Sequence, residues 1–290
     1  MWPKARVVPM VLFAAANLCM PRGQAANSPI PHGTVELLAE HPWIAAGHTV
    51  NLGLHFQLQK GWHIYWINPG DSGEPPRVRW QLPDGLTAGA TEWPAPRRLG
   101  NASIVDFGYE DEVTLIVPMH ASAHLRNQPS AELAAQISVL VCREMCIPGK
   151  AQLSLTLPVN PQAPAVDGRT AELFAAARKS LPRPAPANWK IALAEEHSSF
   201  ELTVSLGRQI TQATFYPLVE SQIDNATPQK LVSAPNGFRL TLQKSDRLAK
   251  PMNRLKGVLV FSAGQAYSID VPLGKSPAAT NGLDFAIRAT

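Results

Sequence analysis

The side chains best suited to chemistry are two cysteines set four residues apart, Cys142 and Cys146, in the run Val139-Leu140-Val141-Cys142-Arg143-Glu144-Met145-Cys146-Ile147-Pro148. Paired thiols can form, break and exchange a disulfide through a mixed-disulfide intermediate. Apolar, strand-like residues flank the pair. A three-residue connection is a common hairpin length and would set the cysteines opposite each other. Directly opposed strand residues have Cα atoms about 4.5–5.5 Å apart, within disulfide range. A helical turn would also bring the two together, but Pro148 and the β context disfavour it. The alternative is a purely structural bridge. Closing so short a loop contributes only about 2 kcal/mol, a weak staple. A further alternative is Cu(I) handling, since Cys142, Met145 and Cys146 are soft ligands. No histidine accompanies them, and no resident metal or cofactor is expected. Arg143 would lower a neighbouring thiol pKa and Glu144 would oppose it.

Three other clusters invite a reading. Gly61-Trp62-His63-Ile64-Tyr65-Trp66-Ile67-Asn68-Pro69-Gly70-Asp71-Ser72-Gly73 reads as a core strand ending in a turn, with His63 a structural residue rather than a base. Trp93-Pro94-Ala95-Pro96 reads as a rigid edge segment with a buried indole. Val105-Asp106-Phe107-Gly108-Tyr109-Glu110 reads as a glycine-containing turn, either an ordinary loop with an anchored aromatic or a flap over a reactive site. There is no G-x-S-x-G, no H-E-x-x-H, no phosphate-binding glycine loop and no C-x-x-C.

The elements that must position the pair are predicted to be strands. The chain has 290 residues, enough for two domains, and 27 prolines, which argue against long helices. Val50–Leu58 alternates apolar and polar, Val113–Met119 and Ile137–Val141 are short strands, and Ala151–Val159 places Leu153, Leu155 and Leu157 on one face. The expected fold is all-β: two immunoglobulin-like β-sandwich domains joined by a short helical, Pro-rich linker. The first domain is expected over residues 33–160, the linker with a helix near Thr170–Ser180 over 161–188, the second sandwich over 189–273, and a flexible tail over 274–290. The prolines at both ends of the linker suggest a semi-rigid spacer.

Residues 1–26 read as a signal peptide: Lys4 and Arg6, the apolar run Val7–Ala16, then small residues at Gly23, Ala25 and Ala26. The run is shorter than the about 20 residues needed to span a bilayer, and no other segment approaches that length, so no integral membrane segment is expected in the mature chain. Cys19 departs with the leader, leaving Cys142 and Cys146 as the pair that meets an oxidising compartment. The formal charge of +4 falls to about +1 once Lys4, Arg6 and Arg22 are removed, so no basic stripe points to nucleic acid.

The segments WHIYWINPGDSGEPP, WPAP, FGYEDEV and VCREMCIP occur in an order that resembles the N-terminal periplasmic domain of DsbD-type transmembrane thiol reductases, in particular the ScsB-like branch associated with copper tolerance. The resemblance covers residues 33–160 and continues more weakly into FYPLVESQIDNATPQ, near 215–229. It implies an immunoglobulin-like sandwich in which Cys142 and Cys146 form the redox pair, with Phe107, and with less support Tyr109, in an aromatic cap loop shielding it. It implies a periplasmic thiol–disulfide exchange protein, leaning toward an oxidoreductase. The expected partners are a membrane thiol-electron transporter and periplasmic thioredoxin-like or disulfide-bonded proteins. The family's membrane and thioredoxin-like domains are not found in this sequence, so a separately encoded electron donor is expected. A non-enzymatic envelope scaffold with a structural disulfide, or a Cu(I)-handling protein, are the competing readings.

Overall fold

A computed structural model describes residues 26–100, 103–159, 168–248, 251–262 and 264–274. The expected signal peptide, except Ala26, and the expected tail beyond Gly274 lie outside the described residues. The first part runs through β1 (Ala26–Ile30), β2 (Gly33–Ala39), β3 (Thr49–Leu58), β4 (His63–Gly70), β5 (Arg77–Gln81), β6 (Leu86–Ala88), β7 (Arg97–Gly100), β8 (Val105–Glu110), β9 (Glu112–Ala121), β10 (Ser130–Cys142) and β11 (Cys146–Pro158). Helix α1 (Gly168–Ser180) follows. The rest comprises β12 (Arg183–Pro184), β13 (Lys190–Glu196), β14 (Ser199–Ser205), β15 (Ala213–Pro217), β16 (Lys230–Ala234), β17 (Gly237–Gln243), β18 (Arg254–Phe261) and β19 (Ala266–Gly274).

The fold is all-β, with two immunoglobulin-like domains. In the first, a sheet ordered β1-β2-β3-β9-β6 faces a sheet ordered β11-β10-β4-β8-β7, with β5 paired to β10. Strand alternation decides which side chains meet between them. Leu52, Leu54 and Phe56 of β3 and Leu115 and Val117 of β9 pack against Ile64 and Trp66 of β4, Phe107 and Tyr109 of β8, and Leu133, Ile137, Val139 and Val141 of β10. In the second domain the strands follow β15-β18-β19-β13-β14-β17-β16. The sheet folds over where β13 meets β19 in parallel at Leu193↔Leu273. It encloses Phe200, Leu202, Phe215, Phe238, Leu240, Leu259 and Phe261.

Two sequence expectations are corrected. The linker helix is not a spacer: α1 lies on the outer face of the first sheet, where Phe174 and Ala177 pack with Leu38 and Ile116. Gly53 makes room for it, since a Cβ there would stand 3.0 Å from the Phe174 ring. Ion pairs fasten both ends, Arg169 to Glu36 at 2.7 Å and Arg178 to Glu40 at 2.5 Å. Residues 105–110 are not a turn but the buried strand β8, in which Gly108 serves close packing: a Cβ there would meet the Ile64 carbonyl oxygen at 2.1 Å.

The two domains share a core rather than merely touching. Tyr216 of β15 belongs to the first domain's apolar cluster, together with Val258 and Ala266. Its ring stands edge-on to Phe107 (5.2 Å between centroids) and to Trp66 (6.4 Å). Polar bonds flank it: Asn68 donates to the Pro217 carbonyl (2.7 Å), and Asn225 donates to the Asp71 carboxylate (2.8 Å).

Candidate functional site

The hairpin of β10 and β11 opposes its residues in unbroken register from Ser130↔Pro158 to Cys142↔Cys146. The two cysteines are therefore the last pair of the ladder, and Arg143, Glu144 and Met145 form the tip. Their Cα atoms are 4.1 Å apart and the sulfurs are bonded. The extended strands bring the thiols together without help from the rest of the fold, as the three-residue spacing foretold. Cys142 is 2% exposed, whereas Cys146 is exposed. The tip is held from one side by Arg143, whose guanidinium lies 5.2 Å from the Trp62 ring. That ring in turn stacks on His32 at 3.7 Å. Met145 is 68% exposed.

Register across the sheet identifies what shares a face with the disulfide. Cys142 pairs with His63, and His63 with Glu110. Paired residues point to the same side and alternate residues repeat it. The outward face at this corner therefore carries Cys146, Cys142, His63, Glu110, Tyr65 and Asp106. The inward face carries Ile64, Trp66, Phe107 and Tyr109. This corrects the cap reading: Phe107 and Tyr109 are buried in the sandwich on the opposite side of the sheet from the cysteines. Phe107 packs against Trp66 and Tyr216, and the Tyr109 hydroxyl donates to the Pro94 carbonyl at 2.7 Å. Trp93 is half-buried, so in the Trp93–Pro96 segment it is the prolines, Pro94 and Pro96, that are buried rather than the indole.

What covers the inner part of the outward face is the turn after β4. Gly73 has φ +81° and presses so closely on Tyr65 that a Cβ would stand 2.1 Å from the ring. Beneath it Tyr65 is fully buried, yet its hydroxyl reaches Cys146 Sγ at 3.4 Å. Burial raises the Tyr65 pKa above the phenol value, and the charge of Asp106 adds to the rise. The Ser72 hydroxyl and backbone N–H both donate to Asp106 Oδ1, at 2.9 and 3.0 Å. Burial raises the Asp106 carboxyl pKa, with neighbouring Asp71 adding to the rise; the Ser72 hydrogen bonds and His63 act in the opposite direction. His63 stands edge-on to Tyr65 (5.3 Å). Burial holds the imidazole below its ordinary pKa although Asp106 and Glu110 pull it up, and its Nε2 has no partner among the described residues.

The sequence reading found the cysteines and their hairpin. It passed over Tyr65, Ser72 and Asp106, although all three lay in segments it singled out. Period-two parity counted back from Cys142 through His63 would have found Tyr65, but aromatics on both faces of β4 hide the alternation.

Residues 34–158 match the family model described as thiol:disulfide interchange protein DsbD, N-terminal. No curated protein matches the chain. Among solved structures the chain is similar to the N-terminal periplasmic domain of ScsB from Proteus mirabilis, with a TM-score of 0.65 and 19% identity over 87% of this chain and 100% of that one. That likeness spans both sandwiches and concerns the fold. The periplasmic chaperone SfaE also aligns, at 8% identity over 83% of this chain and 100% of that one, but its TM-score of 0.21 carries no argument. Residues 34–158, the first domain with its opposed cysteine pair, thus match the DsbD N-terminal family model, and the two-sandwich fold is like that of the ScsB N-terminal periplasmic domain.

Proposed function

We propose that the protein is a periplasmic thiol–disulfide oxidoreductase that passes reducing equivalents through Cys142 and Cys146, with Cys146 as the sulfur that meets the partner. The observation that carries this reading is the asymmetry of the pair: a bridge across a three-residue tip, with Cys142 buried and Cys146 exposed, its sulfur beside a tyrosine hydroxyl. Attack on a disulfide needs an in-line approach to one sulfur, and only Cys146 offers it. The direction runs from a membrane thiol-electron transporter to thioredoxin-like or disulfide-bonded partners of the envelope. In the forward step the reduced Cys146 sulfur bonds to a partner sulfur and the partner's second sulfur leaves. Cys142 then attacks Cys146, releasing the partner as a dithiol and restoring the bridge.

Thiol trapping in envelope extracts tests it. Cys142→Ala retains the exposed sulfur and lacks the resolving one, so it accumulates a mixed disulfide; Cys146→Ala does not. Failure of both single variants to trap a partner, with loss of the fold in the double variant, would make the bridge structural and end the redox reading.

A further inference from the structure

The sheet face that carries the disulfide continues well beyond it. Along β10 and β11 alternate residues repeat one side. Behind Cys142 and Cys146 the outward pairs are therefore Leu140↔Pro148, Ser138↔Lys150 and Gln136↔Gln152. Strand β5 lies on the other edge of β10, where Ser138 also pairs with Arg77 and Gln136 with Arg79. Leu140 is half-buried and Pro148 exposed, and the six side chains beyond them are all exposed. Those six line a shallow groove of about 520 Å³. We propose that this groove is a docking surface for the protein partner of the exchange, and that the partner carries acidic side chains about 13–20 Å from its reactive sulfur, the span of four to six strand residues. This deepens the exchange reading above and rests on it.

Charge is what distinguishes the groove. Arg77, Arg79 and Lys150 line it, with Gln136, Ser138 and Gln152 between them and no carboxylate. Arg77 and Lys150 flank Ser138 from opposite sides, about 10 Å apart at ordinary strand spacing. Arg79 stands one row further from the disulfide. Arg77 meets Glu74 at 3.0 Å in an exposed ion pair, of a kind that contributes little. Among the described residues neither Arg79 nor Lys150 has an ion-pair partner. Strands β5, β10 and β11 hold one carboxylate between them, Glu132, which lies two rows beyond the groove. The positive potential of this face is thus left for an incoming anionic surface to neutralise.

The exchange chemistry decides what comes to rest there. A partner disulfide has to sit against the exposed Cys146 sulfur, and the surface around it then lies over Leu140, Pro148 and the groove. Leu140 and Pro148 give an apolar step beside the sulfur, and the cations a charged margin beyond it. That is the arrangement of an interface centre and its rim. Rim charges govern the rate of encounter and the choice of partner more than the strength of the complex. Such a division suits a shuttle, which has to find its partner quickly and then release it.

The test uses the reduced protein and three cysteine peptides that differ only four and six residues from the cysteine, where they carry Glu, Gln or Lys. Each peptide is supplied as a mixed disulfide with a chromogenic aromatic thiol. Cys146 bonds to the peptide sulfur, and the aromatic thiolate leaves with the electron pair of the broken bond. Cys142 then displaces the peptide as a thiol, the protein ends as the disulfide, and protons exchange with solvent. At an ionic strength of about 0.01 M, where charges act over about 30 Å, the Glu peptide should react about tenfold faster than the Gln peptide, and the Lys peptide slower still. At about 1 M, where that range is about 3 Å, the three rates should converge. Arg79→Ser with Lys150→Ser should bring the Glu and Gln peptides together, and Arg79→Glu with Lys150→Glu should reverse the order. Reversal is not something a loss of stability can produce, and the salt series needs no variant at all. Equal rates for the three peptides at low salt overturn the docking surface while leaving exchange through Cys146 intact. An order unchanged in both double variants does the same, and moves the preference to Arg143 at the tip. Binding to phosphatidylglycerol vesicles without any preference among the peptides also overturns it, giving the groove to a membrane. Failure to release the aromatic thiol from any peptide overturns the exchange reading and the docking surface together.

Discussion

Two faces of the same strands, β4 and β8, divide the work of this molecule. The inward face carries Ile64, Trp66, Phe107 and Tyr109, which close the first core, with Phe107 and Trp66 also receiving Tyr216 from the second domain. The outward face, one residue out of step, carries His63, Tyr65 and Asp106 beside the cysteines. Both are buried, but by different means. The inward face is covered by a whole sheet, whereas the outward one lies under the single turn Asp71–Gly73, fastened by hydrogen bonds. Apolar burial by a sheet needs only volume and pattern; polar burial under a turn needs every donor placed. Stability should therefore concentrate on one side and exchange chemistry on the other, and substitutions can try to break that division.

The largest effect on folding is expected from Tyr216→Ala, which removes the ring standing against Trp66 and Phe107. It should cost about 3–5 kcal/mol in denaturant unfolding and weaken the coupling between the domains, turning one transition into two. An unchanged single transition would mean the seam contributes nothing. Next comes Gly73→Ala on the outward face. The added methyl overlaps the Tyr65 ring, and the backbone lies at positive φ. About 1–3 kcal/mol should be lost, and exchange should be impaired beyond what the melt accounts for, because Tyr65 is displaced from Cys146.

Smaller still is the effect of removing the bridge. Cys142→Ala with Cys146→Ala should abolish exchange yet lower stability by only about 2 kcal/mol, since the hairpin register is held by its own ladder. Calorimetry of the double variant against the oxidised protein measures this directly. A loss comparable to that of Tyr216→Ala would erase the distinction between the two faces.

The smallest effect concerns pH. Burial holds His55 and His63 below the ordinary imidazole value of 6.5. The unfolded chain therefore binds protons that the folded one refuses, so this stability is present above about pH 6.5 and is lost as pH falls. Urea midpoints between about pH 8 and pH 5 should decline, and His63→Gln should flatten part of that decline. A midpoint that rises on acidification would contradict the burial of both rings.

Much of the fold could be read in the sequence, because apolar alternation is strong there: Leu153, Leu155 and Leu157 marked β11, and Val50, Leu52, Leu54 and Phe56 marked β3 even though α1 covers part of its outer face. The reading failed in β8. The run Val105-Asp106-Phe107-Gly108-Tyr109-Glu110 does alternate, but Gly108 with its acidic neighbours imitates a turn. That one error turned two core aromatics into a supposed cap. The helix α1 was visible from its composition, but its docking was not, because the site that receives Phe174 is a glycine far away in β3. Tyr216 lay in a segment noted only for its resemblance; nothing local in its neighbours says that its ring completes another domain's core.

That ring has a practical consequence for how the protein can be divided. Recurrence in other sequences marks off residues 34–158, but a boundary of recurrence is not a boundary of solubility. A fragment ending at Pro158 would turn the edges of Trp66 and Phe107 toward water, strip the Asn68 amide of its carbonyl partner, and uncover the face of the first sheet on which α1 rests. Such a fragment should self-associate or bind hydrophobic dyes. The smallest piece expected to behave as a clean monomer extends through β19.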